Sequence, residues 1–376
     1  MISLIIPSYN NLRHLKNVYT SIKKHAPEAE IVLLDDGSTD GTWDWIQTQD
    51  CIKYRSEERV GHTILYDKGI ELATNKIVGI LHADMIIGPN YIQNLIKHLK
   101  PLTVVCGTRI EPPLHPEGKE KIIMNFGLDF DSLNIEAFEK FVLEKQIEFK
   151  DQTTKGMFAP WILYKEDFQA IGGHDPLFAP FPYEDSDIFQ RWILNGYKLI
   201  QSRDAFVYHL TCRGHRWSEQ VGKDDNYYKI VSNRAARNYL RKWGSWIKND
   251  EFQYPIISPK YDIGFIIKNC NSQLLEVLEP WCSTLYIDCD YKEYINKEQS
   301  NTSFDLSEKI KPYDNEKQNY ILVEFDGTKF NQNSYYIIQN LSEIIKQSNE
   351  LGEFELDIFK ISILNLTTFE YLLINL

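Results

Sequence analysis

Short apolar runs alternate with amphipathic stretches through the first hundred residues. Ile2–Ile6 reads as a strand closed by Pro7. In Leu12–Lys24 the apolar residues Leu12, Leu15, Val18, Tyr19 and Ile22 recur at i, i+3, i+4 spacing, which predicts a helix. The pattern repeats as strand Glu30–Leu34, helix Thr42–Gln49, strand Ile52–Arg55, helix Gly61–Thr74, strand Lys76–Leu81 and helix Pro89–Leu99. Such alternation predicts a mainly parallel sheet with helices on both faces. In sheets of that kind ligands bind at the carboxyl ends of the strands. The polar clusters Ser8-Tyr9-Asn10, Asp35-Asp36 and His82-Ala83-Asp84 all fall at those ends.

Farther on the rhythm is less regular. Pro112, Pro113 and Pro116 interrupt the chain, Ile135–Phe149 reads as a helix, and residues 156–183 are aromatic and turn-rich. Ser186–Asn195 is helical, Lys198–His209 contains a strand, and Tyr227–Trp246 is a long basic helix. The tail alternates again: strand Asp262–Ile267, helix Ser272–Leu278, strands Thr284–Asp288 and Tyr320–Phe325, helix Asn333–Gln347 and strand Glu353–Ile363.

Charge divides the 376 residues in two. Residues 1–250 carry 31 basic and 33 acidic side chains, a net of −2, whereas residues 251–376 carry 10 and 20, a net of −10. Two domains are expected, 1–250 and 260–376, with the boundary in the Pro-bearing stretch Tyr254–Lys260. The first subdivides into halves 1–110 and 111–250; the second is a small acidic α/β domain whose role stays open. The acidic block lacks the basic footprint of a nucleic-acid partner. No run approaches the ~18–20 apolar residues of a membrane helix, and the start lacks a basic segment, so no secretory signal is expected. Six scattered cysteines without a C-x-x-C pair read as reduced thiols, and a cytoplasmic location is the expectation.

Five segments carry a family resemblance. Ile5-Ile6-Pro7-Ser8-Tyr9-Asn10, Leu34-Asp35-Asp36-Gly37-Ser38, Leu81-His82-Ala83-Asp84, Gly172-Gly173-His174-Asp175 and Tyr183-Glu184-Asp185-Ser186-Asp187 occur in that order. In this the chain resembles the family-2 glycosyltransferases over roughly residues 1–245. The resemblance implies the GT-A fold, with a nucleotide-binding Rossmann-like half joined to an acceptor-binding half. It implies an inverting, metal-dependent transfer of a sugar from a nucleotide sugar, UDP-linked, to a hydroxyl acceptor on a glycan or another molecule. Mn²⁺ or Mg²⁺ would be the cofactor, since negative charge builds on the departing diphosphate and a hard cation neutralises it.

Residue by residue, the resemblance makes Asp36 the reader of uracil, the alternative being a carboxylate that merely caps the helix near Thr42. Pro7, Ser8 and Tyr9 would line the same pocket, with the Tyr9 ring against the base or in the core. His82, Ala83 and Asp84 form the donor-binding segment, and Asp84 matches the family's metal ligand. The chain departs from the family's Asp-x-Asp at His82, which replaces a ribose or metal contact or is incidental. His209 matches a further, imidazole ligand. Arg213 and Arg216, in a locally basic stretch, suit a loop that closes on the diphosphate. Asp185 is the implied general base and Glu184 a contact to donor or acceptor hydroxyls, whereas Asp187 caps the following helix or pairs with Arg191. Among the aromatics, Trp161 is the expected acceptor platform. A retaining transferase, a nucleotidyltransferase and a non-catalytic nucleotide-sugar or glycan-binding module remain as alternatives.

Overall fold

The computed structural model describes residues 1–212, 216–217 and 222–369. They fall into two compact units: residues 1–232 with 249–256, and residues 233–248 with 257–369. In the first unit the chain runs β1 (Ile2–Ser8), α1 (Leu12–His25), β2 (Glu30–Asp35), α2 (Thr42–Gln47), β3 (Ile52–Arg55), α3 (His62–Leu72), β4 (Ile77–Ile80), β5 (Met85–Ile87) and α4 (Tyr91–Ile96). It continues with β6 (Thr103–Glu111), β7 (Lys121–Ile123), α5 (Ile135–Glu148), β8 (Thr153–Thr154), β9 (Trp161–Tyr164), α6 (Lys165–Ala170), α7 (Glu184–Leu194) and β10 (Lys198–His209). Helix α8 (Asn226–Trp243) follows, and the division between the units falls within it.

The large sheet has the order β3-β2-β1-β4-β9-β6-β10-β5. Strands β3, β2, β1 and β4 are mutually parallel, β9 inserts antiparallel between β4 and β6, and β6 and β10 are again parallel. Every residue of β1 is buried, as expected of a strand covered on both faces. Its period-2 alternation divides two cores. Ile5 packs with Val32, Leu34, Val78 and Ile80 on one face, while Leu4 and Ile6 pack with Leu15, Val18 and Ile22 of α1 on the other. Each such aliphatic side chain contributes about 1.5–3 kcal/mol when fully buried. Lys23, Lys24 and His25 in the last turn of α1 complement the negative end of the helix dipole.

The second unit contains β11 (Ile263–Lys268), α9 (Ser272–Leu278), β12 (Thr284–Ile287), α10 (Lys292–Glu298), α11 (Leu306–Lys309), β13 (Ile310–Pro312), β14 (Ile321–Asp326), α12 (Gln332–Ser348), β15 (Gly352–Leu356) and β16 (Phe359–Ile363). Its sheet order is β13-β12-β11-β14-β16-β15, parallel through β14 and closed by an antiparallel hairpin. The single strand expected over Glu353–Ile363 is that hairpin. Its turn places Asp357 at φ 54° with no glycine after it, so the strong Asp-Gly hairpin signal is missing.

The boundary also differs from expectation. One crossing lies after Ile256, inside the proline-bearing stretch, but Asn233–Lys248 groups with the second unit. The reason is electrostatic. Arg241 is fully buried and donates to Glu279 Oε2 at 2.6 Å and to Glu298 Oε1 at 2.5 Å, while Arg237 donates to Glu298 Oε1 at 2.8 Å. Two arginines of the long basic helix are thus in internal ion pairs.

Candidate active site

The carboxyl ends of β1, β2 and β4 open onto one crevice, with an empty volume of about 520 Å³ that includes its open mouth. The loops at these ends are stitched together: Asn10 N–H donates to Ser38 Oγ at 2.9 Å, and Thr39 N–H donates to Asn10 Oδ1 at 2.7 Å. Asp40 accepts from Leu12 N–H and Thr42 N–H, so it is Asp40 and not Asp36 that meets the first turn of α2, whose N-cap is Gly41.

Pro7 and Ser8 at the end of β1 line the crevice, and the buried Ser8 hydroxyl has no hydrogen-bond partner among the described residues. Asp36 lines it too. Its Oδ1 accepts from Val60 N–H at 2.7 Å and its Oδ2 from Gly61 N–H at 3.0 Å. Burial raises its pKa against those hydrogen bonds. Tyr9 presents its ring to Arg59, whose guanidinium lies 3.9 Å from the ring centroid and 4.6 Å from that of Tyr227. Arg59 is a crevice residue that the sequence did not single out.

Opposite these groups lie His82, Ala83 and Asp84. A turn closed by Met85 N–H on the His82 carbonyl leads directly into β5. Strand β10 pairs antiparallel with β5, His209 opposite Met85, and Leu210 N–H donates to the Asp84 carbonyl at 3.1 Å. Register therefore delivers His209 to Asp84, with Nε2 3.7 Å from Asp84 Oδ1. One donor atom from each of His82, Asp84 and His209 lies within 4.8 Å of the other two. The His209 Nδ1 meets Glu111 Oε1 at 2.9 Å, and Glu111 is ion-paired with Arg109 and Lys121. Burial opposes the charge on Glu111, but Arg109, His209 and Lys121 together hold its carboxyl well below the usual range. An imidazole fixed this way at Nδ1 turns Nε2 toward a metal position, and the donor set of one carboxylate and two imidazoles fits a divalent cation.

The acidic segment at the start of α7 completes the site. Gly61, at φ 88°, passes so close to Pro180 that a Cβ would lie 2.2 Å from the proline Cα, so only glycine fits. This approach sets His62 against Glu184, with Nε2 to Oε1 at 2.6 Å, and stacks the His62 ring on Phe181. Burial disfavours both charges, yet their attraction outweighs it, raising His62 and lowering Glu184. Asp185 forms no such short ion pair among the described residues, and the charges of His174, His62 and Arg109 only partly offset its surroundings. Burial and then the Glu184 charge push its carboxyl up to about 7, and its Oδ1 has no hydrogen-bond partner among the described residues. The phenol of Tyr66, a crevice residue, is raised first by burial and then by the charges of Asp185, Glu184 and Asp84.

Residues 3–172 match the family description Glycosyl transferase family 2. The chain carries a family-2 glycosyltransferase domain. Validoxylamine A glucosyltransferase of Streptomyces hygroscopicus subsp. limoneus is 26% identical over 230 residues, covering 55% of this chain and 51% of that protein. The chain thus spans about half the length of the curated relatives that it matches most extensively. Among solved structures, GalNAc-T7 with UDP, GalNAc and Mn²⁺ aligns with TM-score 0.47 at 14% identity, over 83% of this chain and 55% of that one. The mannosyltransferase PcManGT from Pyrobaculum calidifontis, in complex with GDP-Man and Mn²⁺, aligns with TM-score 0.40 at 20% identity, over 64% and 69%.

Within the glycosyltransferase domain some expected positions lie elsewhere. Trp161 is fully buried in the core against Phe168 and Trp192, on a strand that pairs with both β4 and β6, so it offers no face to an acceptor. Trp161→Ala is expected to cost about 3–5 kcal/mol in denaturant unfolding and to leave the acceptor KM of the folded fraction unchanged. A selective rise in that KM would restore the platform role. Arg216 is paired with Asp224, Nε to Oδ1 at 2.7 Å, and Arg213 lies outside the described residues. Asp187 is buried against Arg191 at 2.7 Å, the structural role expected of it. No helix among the described residues is long and apolar enough to cross a membrane.

The residues that sequence reasoning missed act from a distance. Glu111 ends the apolar strand β6, and a lone acid closing such a run was the available signal. Arg59 sits in the loop before α3 and His62 is the first residue of that helix, with Gly61 between them as a local mark.

Proposed function

We propose that the chain transfers a glycosyl group, with inversion, from a nucleoside-diphosphate sugar to a hydroxyl acceptor. The observation that carries this reading is the grouping of Asp84, at the crevice, with His82 and His209, and the tie of the acidic turn Glu184-Asp185 to the same crevice through His62. The donor base would enter beside Tyr9 and Asp36. The Asp36 carboxylate keeps lone pairs beyond those given to Val60 and Gly61, enough to accept a uracil imino N–H, which supports a UDP-linked donor. Arg59 brings a guanidinium to the same crevice, where phosphate oxygens would meet it.

Asp185 would accept the acceptor hydroxyl's proton while that oxygen attacks the anomeric carbon and the bond to the diphosphate breaks. Glu184 is committed to His62, so in this reading its charge keeps Asp185 basic and its second oxygen remains for a sugar hydroxyl. Asp84 and His209 would hold a divalent cation, with Glu111 fixing the imidazole; bound there, the cation neutralises charge on the departing diphosphate.

Thermal unfolding with a panel of nucleoside diphosphates and nucleotide sugars, with and without Mn²⁺, tests the donor class, since a ligand of the native state raises apparent stability. The product anomer read by NMR then tests inversion. Stabilisation by no nucleotide, or release of pyrophosphate in place of a nucleoside diphosphate, overturns the proposal. A pH dependence follows from Asp185. The base must be ionised, so kcat/KM should fall about tenfold per pH unit below about pH 7 and level off above it. A profile flat from pH 5 to pH 8 would remove Asp185 from that role.

A further inference from the structure

We propose that His82 is a third protein ligand of the cation, giving a site of two imidazoles and one carboxylate that binds Mn²⁺, Co²⁺ or Zn²⁺ and discriminates against Mg²⁺. This rests on the metal-dependent reading above and assigns a role to the residue at which the chain departs from the family pattern.

Geometry supplies the first argument. The turn closed between the His82 carbonyl and Met85 N–H presents residues 82 and 84 two apart at the end of the chain segment that leaves β4. The donors of His82, Asp84 and His209 lie within 4.8 Å of one another. Donors about 2.0–2.1 Å from one ion stand roughly 3 Å apart in adjacent positions, so modest side-chain rotation closes the set. The His82 ring is held for this: it stacks at 26° on both Tyr66 and His62, each 6.4 Å away, and meets the His209 ring edge-on at 5.8 Å. The opposite side of the set is fixed by Glu111 on His209 Nδ1.

Donor chemistry supplies the second. Mg²⁺ demands a compact shell of oxygens and keeps its waters, whereas imidazole suits the later first-row ions and binds them increasingly along the Irving–Williams order. An aspartate at position 82 would add a hard anionic oxygen; His82 adds a neutral nitrogen. Three ligands on one side leave the remaining positions for water or diphosphate oxygens, as an open catalytic site requires.

The test reads nitrogen directly. Pulsed EPR of Mn²⁺ bound to the full chain, with and without UDP, should show two imidazole nitrogen couplings in the wild type and one in His82→Ala. Competition titrations should show Mn²⁺ affinity falling roughly tenfold or more in His82→Ala, and His82→Asp should shift preference toward Mg²⁺ relative to Co²⁺. One coupling in the wild type, no bound Mn²⁺, or His82→Asp leaving the metal order unchanged overturns the proposal. The wild-type spectrum suffices even if a variant fails to fold. Two couplings in a protein that transfers no sugar would uphold the ligand set while refuting the glycosyl-transfer reading. One coupling in an active enzyme would do the reverse.

Discussion

Asp185→Asn is expected to lower kcat by about 10²–10⁴-fold, the usual contribution of a positioned general base, while binding of UDP with Mn²⁺ is retained. The substitution preserves shape and removes only the capacity to take a proton. It should also raise stability at neutral and higher pH. In the folded chain burial and the Glu184 charge lift the Asp185 carboxyl from 3.8 to about 7. Between those values the folded state holds a proton that the unfolded state has lost, so this group's contribution favours folding at low pH and is lost as pH rises through about 7. The Asn variant escapes that loss. Its melting temperature should exceed that of the wild type at pH 8, and the gap should close toward pH 4. Turnover unchanged in the variant would place the base elsewhere, whatever the melting curves show.

The second large effect is expected at Asp84. Asp84→Ala should abolish the Mn²⁺-dependent part of UDP binding. At a ligand concentration of about 100 Kd a native-state ligand stabilises by about 2.7 kcal/mol, so in the wild type the added metal should give a clear shift in melting temperature, and in the variant none. The fold should survive, because the contact that locks the end of β10 here is Leu210 N–H to the Asp84 backbone carbonyl, which alanine keeps. A variant that still responded to Mn²⁺ would show that the cation sits away from this carboxylate.

The elements of the first unit were largely legible. Helix α1, strand β3 and helix α5 fall within about a residue of the expected bounds; the apolar residues of α1 and β3 face the two main cores and those of α5 a smaller one. Strand β5 was not visible. It is three residues long, and its identity depends on pairing with β10. Helix α7 begins at Glu184, two residues earlier than expected, because Tyr183 adopts φ 83° and turns the chain abruptly into the helix. Glu184 and Asp185 therefore stand in the first helical turn. The partners of the basic residues of α8 were not legible for a different reason. Arg237 and Arg241 look like surface charges until Glu279 and Glu298, about forty and sixty positions away, fold against them.

The sequence by itself determined where strands end and which polar residues stand there, since both follow from local periodicity and from the rule that strand-end loops carry function. Ser8, Asp36, His82 and Asp84 were accessible on those grounds. Tertiary structure alone decided what each side chain can do. His62 meets Glu184 across 122 positions, and His209 meets Glu111 across 98. Protonation and orientation are set by neighbours in space, through burial and charge, and those neighbours are fixed only when the strands take their register.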